Sequence, residues 1–146
     1  MRRVTLWALL AALTACARPQ ETAPVIQAPL LENQNVRAVM SAALLADAAG
    51  KDVDTLYLVG VAIVADGLPV RIPPRFAGVQ RGGSATVTAA TLEITPYLAW
   101  GIMEYRWTPG AGGATAYGRA TFVLERAGGS WRIKHLHSSS LREGRT

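Results

Sequence analysis

Apolar residues recur at helical spacing through "VRAVMSAALLADAAG", where Val36, Val39, Met40, Ala43 and Leu44 fall on one stripe. The spacing predicts a helix capped by Asn33 or Asn35 and stopped at Gly50. Beyond "KDVD", which can open a short second helix, the pattern changes to "LYLVGVAIVADG", a run rich in Val, Leu and Ile closed by the turn pair Asp66-Gly67. This predicts a strand. The stretch from Leu68 to Gly83 holds Pro69, Pro73 and Pro74, so it reads as a loop with at most a short strand at its start. Strands are then predicted over Ala85–Ile94, Leu98–Trp107, Ala116–Arg126 and Trp131–Ser138.

The last two strands share the glycine-rich turn "AGGS", and charge suggests their register: Leu124 opposite Ile133, with Glu125 opposite Arg132. Continued without interruption, that register sets Val123 against Lys134 and Phe122 against His135. His135 and His137 then point with Trp131 and Ile133 into the core, beside Ala120 and Gly118. They are the only histidines in the chain. If the preceding hairpin pairs Glu104 with Gly118, Glu104 faces inward close to His137; a shift of one residue turns it outward.

The amino end changes the picture more than composition does. "MRRVTLWALLAALTAC" has the basic start, apolar run and small residues of an export signal, and it is too short to span a bilayer as a mature helix. "LTAC" resembles the lipobox of bacterial lipoproteins, with Cys16, the single cysteine, as the first mature residue. The expectation is a signal peptide over residues 1–15, a lipidated Cys16 with a proline-containing tether to residue 32, a domain over 33–141 and a tail over 142–146. Ala17 follows the cysteine in place of an inner-membrane-retaining aspartate, so the expected location is the cell envelope: the outer membrane facing the periplasm, if the source has one. The formal charge of +5 includes Arg2 and Arg3 and forms no basic cluster with interleaved aromatics, which argues against nucleic acid.

A helix, a long loop and a run of strands ending in Trp-x-Ile-x-His-x-His-x-Ser resembles the SnoaL-like branch of the nuclear transport factor 2-like superfamily. "LAWGIMEYRW" and "GRATFVLERAGGSWRIKHLHSSS" carry the resemblance, with "VADG" and "PPRFAG" in support. It implies an α+β roll of the cystatin-like kind: a cone in which a strongly curved antiparallel sheet wraps an N-terminal helix and encloses a pocket. Members of this superfamily include isomerases, cyclases, dehydratases and non-catalytic binding modules, so the fold leaves the activity open. The chain departs from the family pattern at 51–83, where proline-rich loop replaces helix.

The expected function is binding of a small apolar or polar ligand, or of a protein partner, in the cone. The alternative is an acid/base enzyme using His137 with Glu104. His135, His137, Glu104, Trp100, Tyr57 and Asp66 are the candidate ligand-binding residues, Tyr57 and Asp66 because they flank the first strand as phenolic and acidic groups do in the isomerases. There are structural readings too: histidines fixing a strand end, Asp66-Gly67 as a turn, and Trp100 as core or subunit interface; Arg75 in "PPRFAG" can reach the pocket rim but reads rather as a solvated loop arginine. No cofactor fingerprint is present, and no metal is expected, since only His135, His137 and Glu104 offer a set. Aromatic and aliphatic side chains on the outer sheet face predict a homodimer.

Overall fold

The computed structural model describes residues 27–141; the expected export signal, Cys16 and the tail after Leu141 lie outside them. One long helix, α1 (Gln27–Ala48), precedes a 3₁₀ turn (Asp54–Leu56) and six strands: β1 (Tyr57–Ala65), β2 (Leu68–Pro69), β3 (Gly83–Ile94), β4 (Leu98–Pro109), β5 (Ala116–Ala127) and β6 (Ser130–Leu141). α1 starts ahead of Asn33 because Pro29 falls in its first turn, where a missing N–H costs nothing. Its predicted stripe is the buried one: Val36, Met40, Ala43 and Leu44 are fully covered and Val39 is partly buried.

The strands form one sheet in the order β2-β1-β6-β5-β4-β3. This corrects the expected cone: the sheet is open and is not strongly curled, its ladder ending at β3 on one side and at the two-residue β2 on the other. Nor is it wholly antiparallel, since β1 runs parallel to β6. A single helix covers one face among the described residues, and loop 70–82 replaces the helices around which a sheet would wrap. The shared core has Ala99, Met103, Tyr105 and Trp107 from β4, Phe122 and Leu124 from β5, and Trp131, Ile133 and Leu136 from β6.

Both predicted tight turns are present. Asp66 (φ 47°) and Gly67 (φ 79°) join β1 to β2, and Gly128 (φ 59°) and Gly129 (φ 80°) join β5 to β6, the left-handed pairs that match the twist of a hairpin. Register is where the sequence reading fails. Leu124 does oppose Ile133 and Glu125 does oppose Arg132, but Val123 opposes His135 because Lys134 is an extra residue in β6. Past this bulge every side chain changes face, so Leu136 and Ser138 point into the core and His135 and His137 point away from it. On β4 it is Tyr105, not Glu104, that opposes Gly118. The Tyr105 ring lies over that glycine so closely that a Cβ there would sit 2.2 Å from it.

Candidate functional site

At the C-terminal end of α1 the apolar stripe is continued by a charged residue. Asp47 stands one turn after Ala43 and is wholly buried. The end of a helix already carries a partial negative charge, so a carboxylate there needs donors. Loop 70–82 supplies them: Asp47 Oδ2 accepts from the backbone N–H of Arg75 and from that of Phe76 at 3.1 Å. Burial still pushes the Asp47 carboxyl upward, against the opposing effect of those amides and of the Arg75 guanidinium. The folded chain therefore binds this proton more readily than the unfolded chain. Stability linked to it is present below the ordinary carboxyl range and falls as pH rises through the raised value.

Arg75 is 4% exposed. Its Nη2 donates to Asp54 at 2.8 Å and to Asp52 at 3.3 Å, both on the segment between α1 and β1, and its guanidinium lies 4.6 Å from the centre of the Tyr57 ring. Burial works against this charge, but the Asp52 and Asp47 carboxylates outweigh it and hold the group above its ordinary range. Burial likewise raises the Tyr57 phenol, which stays neutral. Four polar atoms of this cluster are buried with no protein partner: Asp47 Oδ1, the Tyr57 hydroxyl, and Arg75 Nε and Nη1. Such atoms cost about 1–3 kcal/mol each when left unpaired.

The same loop is pinned twice more. The Ala77 N–H donates to Ser138 Oγ at 2.9 Å, and the Tyr105 hydroxyl donates to the Ala77 carbonyl at 2.7 Å. Phe76 enters the core edge-on to Tyr105, with ring centres 5.6 Å apart, and lies 5.9 Å from Phe122. Where loop and β1 diverge they leave a groove of about 420 Å³, lined by Tyr57 and Arg75 on its polar side and by Leu58, Val61, Ile63 and Val70 on its apolar side. A larger groove of about 590 Å³ runs between α1 and the β5–β6 turn. Its central acid is already satisfied: Glu32 accepts from Arg126 at 2.9 Å and from Trp131 Nε1 at 2.7 Å. Concavity and unpaired hydrogen-bonding capacity coincide only at the first of these two grooves.

Of the residues singled out from sequence, Tyr57 belongs to this site. Asp66 does not: its carboxylate accepts from the Ser140 N–H at 2.7 Å and from the Ser140 hydroxyl at 2.8 Å, which closes the turn. Trp100 sits on the outer sheet face, 42% exposed. The proposed pair of Glu104 and His137 is not formed. Glu104 points outward and its carboxylate is held by Arg119 at 2.6 Å, while His137 lies on the outer face opposite Thr121. His135 is on that face too, opposite Val123. Among the described residues no group of three or more His, Cys, Asp or Glu is placed to hold a metal ion.

Sequence reasoning missed Asp47 and favoured a solvated Arg75 over one at the pocket rim. Both left a signal. Asp47 occupies a core position of the helix stripe, and "KDVD" offers two acids that a buried arginine can use.

The model of the SnoaL-like domain family matches residues 65–143, more than half of the 146 in the chain. The chain belongs to this family. No curated protein matches it. Among solved structures, this SnoaL-like domain is similar to a protein with a cystatin-like fold from Nostoc punctiforme, at 9% identity over 77% of this chain and 93% of that one, with a TM-score of 0.65. A candidate dehydratase of the NTF2-like family from Streptomyces avermitilis is 18% identical over 79% of this chain and 99% of its own, with a TM-score of 0.62. A candidate ketosteroid isomerase from Shewanella frigidimarina is 20% identical over 70% and 92%, with a TM-score of 0.57. At these identities the likeness is one of fold: a helix packed on a sheet.

Proposed function

We propose that this SnoaL-like domain binds a small molecule in the groove beside Arg75 and Tyr57. The observation that carries the reading is a groove with an apolar wall bordered by Tyr57 and Arg75, two residues whose polar atoms are buried without a full set of protein partners. Binding is preferred to acid/base catalysis because Glu104 and His137 are apart and Glu104 is committed to Arg119. A thermal-shift screen of small molecules, repeated on Arg75→Lys, tests it. Lysine keeps the charge and loses the planar fork, so hits on the parent are expected to weaken about tenfold. Hits that bind both proteins equally would show that the groove is not the site.

The domain is proposed to work from the cell envelope, held by lipid on Cys16. The support is the run of basic start, apolar segment and "LTAC" that puts the single cysteine at the processing point. Labelling with a palmitate analogue is expected to mark the parent and to leave Cys16→Ser unmarked; label on the variant would refute the anchor.

A homodimer built sheet against sheet is the third element. Trp100, Leu98 and Leu141 are about two-fifths exposed on the outer face, and a second copy would cover them. Light scattering at micromolar concentration is expected to give the dimer mass. A monomer mass would remove this element.

A further inference from the structure

A buried arginine at the floor of a groove suggests, at first sight, a clamp for an anion. The charges around Arg75 point the other way. Its Nη2 is taken by Asp54, which lines the groove, and by Asp52, side chains that are 77% and 60% exposed, while Asp47 accepts from its backbone N–H. Arg71, an exposed arginine, lines the groove as well. Set against three carboxylates, the two guanidinium groups leave no surplus positive charge for a ligand to neutralise.

The atoms the cluster leaves without a protein partner, Arg75 Nε and Nη1 and the neutral Tyr57 hydroxyl, are themselves buried and add no positive charge that an anion in the groove could use. An anion reaching Arg75 would come up against Asp54, which lines the same groove, and near a protein surface two like charges a few ångströms apart repel strongly. The remaining wall, from Leu58 through Val61 and Ile63 to Val70, is aliphatic. We infer that the groove selects an uncharged ligand with a short aliphatic body along β1, and that Asp54, with Asp52 beside it on Arg75, excludes carboxylates. This rests on the binding reading above and specifies its ligand class.

Hexanamide and hexanoate have nearly the same shape and differ in charge, so they separate the two ideas. They are titrated at pH 8 into the isotopically labelled protein while the amides of residues 57–63 and 70–76 are followed by NMR. Hexanamide is expected to bind about tenfold more tightly than hexanoate, a difference set by the rim carboxylates. In Asp52→Asn/Asp54→Asn, a change of two exposed side chains to near-isosteric neutral ones, hexanoate is expected to gain about tenfold. Hexanoate binding the parent as well as hexanamide does, or unchanged affinity in the double variant, would overturn the charge inference and leave small-molecule binding in place. No shift at those amides with either probe would overturn both.

Discussion

Asp47→Ala is expected to remove on the order of 2–5 kcal/mol of stability, since it leaves two buried amides unpaired at about 1–3 kcal/mol each. The reason is specific. Among the described residues the carboxylate is the only acceptor for the Arg75 and Phe76 amides, and it contributes to the charge that keeps Arg75 ionised inside the protein. Alanine strands both amides and leaves the guanidinium to Asp52 and Asp54 alone. A small domain typically has about 5–15 kcal/mol in total, so the variant approaches its folding limit. Asp47→Asn keeps an oxygen for the two amides and removes a charge whose burial is itself costly. It is expected to lose less than half as much. Urea melts of the two variants make the comparison, and a loss below about 1 kcal/mol for Asp47→Ala would mean that the loop does not depend on this residue.

Phe76→Ala is expected to cost about 3–5 kcal/mol, the usual range for a buried phenylalanine cut back to alanine. The ring is 2% exposed and wedged between Tyr105 and Phe122, so its loss opens a hole under β4 and β5 that flanking side chains fill only in part. The polar bonds at Asp47, Ser138 and Tyr105 remain, and the loop should stay docked but loosened. Hydrogen exchange at the amides of Arg75, Phe76 and Ala77 is expected to speed up more than exchange in β4. A loss near zero in the melts would show that the ring does not serve as a core residue.

The elements were legible because each is written in a simple period. The stripe from Val36 to Leu44, the alternation along β4 and β5, and the Asp66-Gly67 and Gly128-Gly129 turns all follow from local geometry. Register was not legible, and the reason is a single residue. Lys134 has the polarity of an outward position, so nothing in its neighbours marks it as a bulge, yet it reverses the facing of everything after it. The histidines were assigned to the core on the strength of alternation, and the bulge moved them to the outer face. The tertiary signal in "PPRFAG" was also hard to read. A proline-rich loop is normally solvent-facing, but here Phe76, Ala77 and Val79 are buried and Arg75 goes in with them because three aspartates on α1 and the following segment receive it. Curvature of the sheet is implied only by family likeness. It depends on what packs inside the sheet, and the loop that does so in this chain is not a helix.

The claim on which the functional account turns is that the groove between β1 and loop 70–82 is where a small molecule goes. NMR of the labelled protein, screened against a chemically diverse set of small molecules, tests it most directly. The account predicts shift changes that cluster at Tyr57–Ile63 and Val70–Arg75 and that weaken in Arg75→Lys. Changes clustered instead around Glu32, Arg126 and Trp131, in the larger groove at the other end of α1, would contradict it.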